Sequence, residues 1–359
     1  MTIARFFAIR RRAAIAGIIL GTLVSAPLRD AHSQSARSAG PPQAADIQRA
    51  VNAAYAKYKD LHEGKNADYI PALAKVDPNL FGIALVTPDG QVYVAGDNST
   101  QVSIQSISKV FTLARVLQDS GEATVVKNTG VDATGAVFNS IVAIEQAKGH
   151  EMNPLVNAGA IATTSLVSGS TSRDIWKKIS DTYDAFAGRK LTVLEEVYKS
   201  EAATNQRNRA IAALMFAYGH IAENPDRATD IYTRQCSVGV NTRDLAMMAA
   251  TLANNGVNPV TGRRVLDAVH VPGLLAVMAT AGLYDDSGQW LFKTGLPAKS
   301  GVGGGLIAVS PGNWGIAVIS PPLDAAGNSV RGQRAIEEIS AALGGNPLSP
   351  ATGGAVAKR

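Results

Sequence analysis

The sequence predicts an α/β fold of the α+β type, with an antiparallel sheet from the N- and C-terminal segments flanked by helices and an all-helical lobe from the middle of the chain. Three observations predict it. Apolar, β-rich runs at 81–86 and 91–95 flank a Pro-Asp-Gly turn, as in a hairpin. A second pair of such runs lies at 306–309 and 314–320. The chain between the pairs, 138–266, has mostly helical periodicity, so the two hairpins are expected to join in one sheet.

Helices are predicted beside this sheet and throughout the middle of the chain. The first and last, at 46–61 and 330–343, each place apolar residues three and four apart on one face, which suits a helix that covers a sheet. Those of the middle lobe are expected at 160–167, 173–186, 191–200, 207–222 and 242–254. The predicted catalytic domain, 46–344, then has a sheet lobe (about 46–105 and 290–344) and a helical lobe (about 106–289), with a ligand site expected in the cleft between them.

One serine and one lysine stand three residues apart at the start of an apolar, helix-periodic run. Ser106 and Lys109 form the only Ser-x-x-Lys pair in the chain, and residues three apart on a helix face the same way. A serine becomes a good nucleophile when a base takes its proton, and burial can lower the pKa of a lysine enough to make it that base. The arrangement is that of serine acyl-transfer enzymes. A surface serine beside a solvated lysine is the open alternative.

A glycine-rich stretch before the late hairpin is predicted to form the other side of the site. The segment Lys-Ser-Gly at 299–301 leads through further glycines into the apolar strand at 306. Glycine at a strand edge lets a ligand approach the backbone, whose N–H groups suit a developing oxyanion. Lys-Thr-Gly at 293–295 has the same pattern, but it does not adjoin the strand, so the later segment is preferred.

Residues 1–33 have the arrangement of a signal peptide. Arginines crowd the first twelve positions, an apolar run follows at 13–24, and small residues come next. The run is too short for a comfortable transmembrane helix, which needs about 20 residues. We therefore expect an exported protein, periplasmic or secreted by the Sec or the twin-arginine route, with no stable membrane insertion after the leader is removed. An uncleaved anchor, or a cytoplasmic protein whose leader does not function, is the alternative. Residues 34–45 are expected to be a flexible linker and 345–359 a disordered tail.

Charge and cysteine content exclude several classes of function. The net charge is +5, but the leader holds five arginines against one aspartate, a net of +4, so about +1 is left for the rest and no nucleic-acid partner is expected. Cys236 is the only cysteine, so no intrachain disulfide can form, and a small buried side chain is expected there. The five histidines have no metal-ligand spacing, and we expect neither a metal nor another cofactor.

Four segments that occur in a fixed order along the chain carry a resemblance to a known family: Gln-Ser-Ile-Ser-Lys at 105–109, Asn-Pro-Leu-Val-Asn-Ala-Gly-Ala at 153–160, Pro-Ala-Lys-Ser-Gly-Val at 297–302 and Ser-Pro-Pro-Leu-Asp at 320–324. With them the chain resembles the serine-dependent glutaminases over nearly all of 46–344. The resemblance implies a β-lactamase/D,D-peptidase-like fold and hydrolysis of L-glutamine to L-glutamate and ammonia through an ester on Ser106. It also implies a homodimer or homotetramer.

The resemblance implies roles for individual residues. Ser106 matches the nucleophile and Lys109 the residue that activates it, while Tyr284 and Tyr69 match further catalytic tyrosines. The positions that match substrate contacts are Ser106, Asn157, Glu201, Asn208, Tyr232, Tyr284 and, through its backbone N–H, Val302.

These residue types suit the chemistry of a free amino acid. A buried site must pair the ammonium of glutamine with an anion, for which Glu201 is suited, and must satisfy its carboxylate with donors such as Asn157, Asn208 and Tyr232. Tyr284 can carry a proton between Ser106 and the departing ammonia. Whether Lys109 or a tyrosine is the main base stays open from the residues alone.

Two other functions fit parts of the pattern. A penicillin-recognising serine hydrolase, either a β-lactamase or a D,D-peptidase, shares the Ser-x-x-Lys pair and the Lys-Ser/Thr-Gly strand, but its Ser-Asp-Asn element is missing, and Asn157 stands in Asn-Ala-Gly instead. A non-catalytic binder on the same fold would tolerate the loss of Ser106 or Lys109, yet both are present.

Overall fold

The computed structural model describes residues 42–222 and 224–349, all of which belong to one compact unit. The leader, most of the predicted linker and residues 350–359 of the predicted tail lie outside the described residues. The helices are α1 (Ala44–Tyr58), α2 (Pro71–Ala74), α3 (Ser108–Asn128), α4 (Ile141–Ala147), α5 (Asn157–Ser165), α6 (Ser172–Ala187), α7 (Glu195–Thr204), α8 (Gln206–Ala217), α9 (Pro225–Cys236), α10 (Thr242–Ala253), α11 (Val271–Ala281), α12 (Ser287–Thr294) and α13 (Val330–Leu343). The strands are β1 (Gly82–Val86), β2 (Val92–Gly96), β3 (Val102–Ser103), β4 (Thr192–Val193), β5 (Val238–Val240), β6 (Ala298–Gly301), β7 (Gly305–Ser310) and β8 (Trp314–Ile319).

The main sheet joins the two ends of the described chain, as the hairpins predict. Its strand order is β2-β1-β8-β7-β6, and every neighbouring pair is antiparallel. The early hairpin meets the late one between β1 and β8, where Ala84 lies opposite Ala317. The glycine-rich segment adds β6 at one edge, which places the Lys-Ser-Gly segment in a strand of its own. The predicted fold class is therefore confirmed.

Both faces of this sheet are buried, and alternate side chains point to different cores. On β8, Ile316 and Val318 pack with α1 and α13 on one face, whereas Ala317 and Ile319 pack with α3, α10 and α11 on the other. Coverage on both faces explains why the strands are nearly continuous apolar runs with no polar alternation. The predicted helices at the two ends of the domain do cover one side of the sheet, since α1 and α13 share a core there.

The middle of the chain differs from the prediction because it is not purely helical. Strands β4 and β5 lie in it and form a second sheet with β3, in the order β3-β5-β4. Strands of two or three residues are too short to show period-two alternation, so the sequence pattern could not reveal them. The prediction also missed α4, α9, α11 and α12. Helix α9 has few apolar residues in a mostly polar run (Pro-Asp-Arg-Ala-Thr-Asp-Ile-Tyr-Thr-Arg-Gln-Cys), which weakens its periodic signal.

The longest helix, α3, begins directly after the short turn that holds Ser106 and is interrupted near its middle. Gly121 has φ +72°, outside the helical region, so the helix breaks there. Within 42–222 and 224–349 no single helix is both long and apolar enough to cross a membrane. One bent pair, Ala268–Ala281 with Tyr284–Thr294 at 102°, meets that requirement by length and composition only.

Candidate active site

Ser106 lies in a short 3₁₀ turn between the small sheet and α3. The N–H of Ile104 donates to the carbonyl of Val238 at 2.8 Å, which ties the approach to the turn to strand β5. Ile107 is fully buried in the main core. Between them Gln105 has φ +50°, a left-handed conformation that is unfavourable for a residue with a side chain. The backbone on both sides of Ser106 is therefore anchored, and strain of this kind is often found at functional sites.

The β6–β7 hairpin packs directly on this turn, and glycine makes the close approach feasible. A Cβ atom at Gly301 would lie 2.8 Å from the carbonyl oxygen of Ile104, and one at Gly303 would lie 2.6 Å from that of Ser103. Val302, between the two glycines, lines the same cavity as Ser106. The sequence-based expectation that the glycine-rich edge forms one wall of the site agrees with this packing.

Lys109 is buried beneath the site with only 1% of its surface exposed. Its Nζ donates to Oδ1 of Asn157 at 2.7 Å and, more weakly, to the carbonyl of Leu155 at 3.4 Å. Burial lowers the pKa of Lys109 to about 8, although the nearby Cys236 and Glu201 act in the opposite direction. Within the described residues Lys109 makes no hydrogen bond to Ser106. Both hydrogen bonds that the Lys109 amine donates go to oxygen atoms. When the amine is neutral, its lone pair therefore stays available for the serine proton.

Asn157 connects three of the predicted site residues. Its Oδ1 accepts from Lys109 and also from the hydroxyl of Tyr232 at 3.2 Å. Its Nδ2 donates to Oδ1 of Asn208 at 2.9 Å. Asn157 begins α5, and the absence of a Cβ at Gly159 lets that helix start against the Met152 and Asn153 carbonyls. The amide therefore positions Lys109 as well as facing the cavity, a role that the sequence pattern did not indicate.

Glu201 is a buried carboxylate on α7, with 6% of its surface exposed. Gln105 donates through Nε2 to its Oε2 at 3.2 Å, so the strained residue before Ser106 also orients Glu201. Burial raises the pKa of Glu201 to about 7, while the hydrogen bond from Gln105 and the amine of Lys109 lower it. A buried carboxylate without a basic partner in contact is a suitable site for a ligand ammonium.

Tyr284 lies close enough to Ser106 for the two side chains to interact. Its backbone has φ +59°, another left-handed conformation, and its hydroxyl donates to the carbonyl of Ser300 at 3.1 Å. Its ring lies against that of Phe138, with 4.8 Å between the centroids. Burial raises the pKa of the Tyr284 hydroxyl, and its interaction with Ser106 partly offsets that shift. The phenol is therefore neutral and lies beside the serine as a potential proton donor.

A cavity of about 310 Å³ brings most of the predicted residues together. Its lining includes Tyr69, Ser106, Asn157, Glu201, Asn208, Tyr232 and Val302. Lys109 and Tyr284 are not among the residues that line it. Tyr69 stands at the rim with 55% of its surface exposed. The volume is ample for a single amino acid.

Several residues around the cavity were missed by sequence reasoning. Gln105, Phe138 and Asn139 line it, and so does Arg207, whose Nε donates to the carbonyl of Asn139 at 3.0 Å. Gln105 was quoted in the Ser106 segment but given no role, and nothing in the local pattern around 138–139 signals a site. Cys236 is buried as expected, and burial raises its pKa to about 12, which keeps the thiol protonated.

The site holds one acidic side chain and no metal-binding arrangement. Within the part of the chain that the structure describes, no group of three or more His, Cys, Asp or Glu residues is placed to hold a metal ion. The chemistry that the arrangement supports is a serine attack assisted by a buried amine and a phenol, on a substrate that carries a positive charge near Glu201.

Known proteins resemble this chain over the stretch that carries the site. A family model described as Glutaminase matches residues 64–346. A protein named Glutaminase from Colwellia psychrerythraea is 56% identical over 305 residues, which cover 85% of this chain and 98% of that protein. Another, from Mycobacterium ulcerans, is 52% identical over 299 residues, which cover 83% and 93% of the two chains.

Solved structures give the same result. A probable glutaminase, ybaS, has a TM-score of 0.85 and 48% identity over 86% of this chain and 100% of its own. A probable glutaminase from Bacillus subtilis, complexed with 6-diazo-5-oxo-L-norleucine, has a TM-score of 0.75 and 28% identity over 83% and 95% of the two chains. The matched stretch includes every residue placed in the site above.

Proposed function

The chain belongs to the glutaminase family, has its β-lactamase-like fold and is an amidohydrolase, and from this premise we propose that it hydrolyses L-glutamine through an acyl-enzyme on Ser106. The proposal depends mainly on one observation. Lys109 is fully buried one helical turn from Ser106, and its pKa is lowered to about 8. A lysine in ordinary solvent is almost entirely protonated at neutral pH, whereas a pKa near 8 leaves about a tenth of Lys109 neutral at pH 7 and able to accept the serine proton.

Acylation begins when the Ser106 hydroxyl oxygen attacks the side-chain amide carbon of glutamine. Neutral Lys109 takes the serine proton as the new C–O bond forms, and backbone N–H groups of Ser106 and Val302 hold the oxyanion. Tyr284 gives its proton to the amide nitrogen, the C–N bond breaks, and ammonia leaves. The proton on Lys109 returns to Tyr284, so both groups regain their starting state. The product of this half-reaction is a γ-glutamyl ester of Ser106.

Deacylation repeats these steps with water as the nucleophile. Neutral Lys109 accepts a proton from the water as it attacks the ester carbon, and the ester C–O bond breaks with that proton passing to Ser106. Glutamate leaves, and the sum is glutamine plus water giving glutamate plus ammonia. Glu201 pairs with the substrate ammonium throughout. The substrate carboxylate accepts hydrogen bonds from the neutral donors Asn157, Asn208 and Tyr232. Neither a metal nor a cofactor takes part in any step.

The first test replaces the nucleophile. Ser106→Ala should abolish ammonia release from L-glutamine, because no other group can form the ester, and its thermal unfolding should stay close to that of the unchanged protein. The diazo-ketone 6-diazo-5-oxo-L-norleucine, which is complexed with the Bacillus subtilis relative, should add covalently to the unchanged chain and not to the variant, as measured by intact-protein mass spectrometry.

Substrate controls separate this function from its alternative. D-Glutamine and L-asparagine are assayed beside L-glutamine, and a chromogenic cephalosporin probes penicillin-recognising activity. Ammonia release at close to the starting rate by Ser106→Ala would rule out the acyl-enzyme. Cephalosporin opening without glutamine hydrolysis would favour the alternative enzyme class.

We further propose that residues 1–33 direct export and that the mature protein is a homodimer or homotetramer. The charged, apolar and small-residue succession in the leader supports the first proposal. The second rests on the resemblance, because members of the family commonly form dimers or tetramers. Large exposed apolar side chains such as Phe292 and Val126 are compatible with contacts between copies.

A further inference from the structure

Lys299 is a second buried lysine next to the site, and the steps given above do not use it. Its side chain has no exposed surface. Its Nζ donates to the carbonyl oxygen of Gly282 at 2.9 Å and to that of Ser300 at 2.7 Å. The Ser300 carbonyl also accepts from the Tyr284 hydroxyl. One oxygen atom therefore binds both the Lys299 amine and the phenol that donates the proton.

The Lys299 amine also lies on the face of the Tyr284 ring. Its Nζ is 4.1 Å from the ring centroid, compared with 5.8 Å for Lys109 over Tyr232. A cation at this distance is attracted to an aromatic face, and the attraction grows where water is excluded. Phe138 packs against the same tyrosine. The ring is thus held between an aromatic neighbour and the amine, in spite of its strained backbone.

We propose that Lys299 is a positioning residue that holds the Tyr284 hydroxyl beside Ser106 and favours the passage of its proton to the departing ammonia. This inference rests on the proposed function. When Tyr284 gives up its proton, negative charge develops on the phenol oxygen and spreads into the ring. In its protonated form, the amine fixed on the ring stabilises that charge, whereas the ground state gains less from it.

Most influences on Lys299 oppose its charged form, so the cation contact with the ring belongs to the protonated amine, whereas the hydrogen bonds persist in both states. Burial lowers the pKa of Lys299 well below its ordinary value, and the neighbouring Lys109 lowers it further, while Cys236 acts in the opposite direction. The nearby Tyr69 and Asp324 each raise the pKa of Tyr284. A neutral lysine keeps two N–H groups, enough for both carbonyls, so the hydrogen bonds survive in either state. The third proton, when bound, adds the positive charge above the ring.

The test compares Lys299→Met with Lys293→Met. Lys293 is exposed and begins the Lys-Thr-Gly segment that imitates the buried one, so it is a matched control. With L-glutamine, Lys299→Met should lower kcat about 100-fold, the size of a general-acid contribution, with KM within about threefold. Lys293→Met should match the unchanged protein. The γ-methyl thioester of L-glutamate releases a thiolate that leaves without a proton. With this substrate, Lys299→Met should lower kcat by less than about fivefold.

A double-variant cycle identifies the group through which Lys299 acts. Adding Lys299→Met to Tyr284→Phe should lower kcat no further than Tyr284→Phe does alone, because both changes remove one function. Additive losses, equal losses on glutamine and on the thioester, or an unchanged kcat would each overturn the proposal. Circular dichroism and thermal unfolding monitor the fold. If Lys299→Met does not fold, Lys299→Gln, which keeps a donor, replaces it, and failure of both to fold would show a purely structural role.

The two proposals fail in different ways. If the unchanged protein releases no ammonia from L-glutamine, the proposed function is wrong. If the unchanged protein is active and Lys299→Met behaves like Lys293→Met, the function stands and only the role of Lys299 is wrong.

Discussion

At the scale of single residues, the site is built from ionisable groups that burial drives toward their neutral forms. Burial lowers the pKa of Lys109 to about 8 and raises that of Glu201 to about 7. Both shifts follow from the loss of water around a charge. A neutral Lys109 is what a base requires, whereas a neutral Glu201 cannot pair with an ammonium. Glutamine binding should therefore depend on ionisation of Glu201, and below its pKa the bound substrate must displace a proton.

Glu201→Gln tests this dependence. The variant should raise KM for L-glutamine about 100-fold or more, because the substrate ammonium loses its only buried anionic partner among the residues that line the cavity. In the unchanged protein KM should fall as pH rises through about 7, since the carboxylate forms in that interval, and the variant should lack this dependence. Steady-state kinetics between about pH 5.5 and 8.5 measures KM and its pH dependence. This interval spans about three pH units around the expected transition.

Glu195→Gln is the matched control, because Glu195 is exposed on the same helix as Glu201. It should leave KM and its pH dependence unchanged. A KM for Glu201→Gln within threefold of the starting value would count against the ammonium contact.

At the scale of elements, the site is a junction between the turn that carries Ser106 and the edge of the main sheet. Strand β6 and its turn lie close enough that a Cβ at Gly301 would be 2.8 Å from the Ile104 carbonyl. The turn is fixed from the other side by strand β5. Neither element can move without changing this contact, so the packing of the two elements sets the geometry of the proposed oxyanion site.

Gly301→Ala should separate these two elements. Inserting a methyl group into such a contact costs about 1–3 kcal/mol, and a displacement near 1 Å at the reacting atoms can cost about 100-fold in rate. We expect kcat to fall at least tenfold and thermal stability to drop. Gly288→Ala is the control, since Gly288 lies in α12 with no atom within 4 Å of its added Cβ. It should be neutral or slightly stabilising, and equal behaviour of the two variants would show that the close contact does not matter.

At the scale of the whole molecule, both ends of the domain are needed to complete the sheet that supports the site. β1 pairs with β8, and α1 packs with α13 on the same face. Lys57 and Tyr58 near the end of α1 each contact Glu338 of α13 at 2.7 Å. The site residues at 105–109 and 299–302 come from opposite ends of this arrangement. The catalytic geometry therefore requires that the long middle segment folds between them.

Export of the whole chain is tested in cells. The full chain should yield ammonia-releasing activity in the periplasm or the medium, with the protein shortened within or just after its leader, because the apolar run and small residues suit export and cleavage. A chain that starts at Gln34 should stay in the cytoplasm with the same specific activity. Cell fractionation and intact mass measure both, and light scattering gives the number of subunits. Retention of the full-length chain in the cytoplasm would contradict the role of the leader.

Much of the fold and of the site could be predicted from local patterns. The hairpins, the helices at both ends and the Ser106–Lys109 pair were recognised because their signals lie within a few neighbouring residues. Strands β4 and β5 and the roles of Phe138 and Gln105 were not, because their signals depend on partners distant in sequence. Phe138 packs against Tyr284, and Gln105 donates to Glu201; both contacts join segments far apart in the chain.

By itself the sequence determined the family, the two hairpins with the helices at both ends of the domain, and which serine and lysine lie together, because the signals for these features lie in contiguous segments. Only the tertiary structure decided how the amines and phenols are arranged around that serine. It placed the Lys109 amine on Asn157 and the Lys299 amine on the face of Tyr284. Such contacts join segments far apart in the chain, and the burial that shifts their pKa values exists only when the surrounding core is packed.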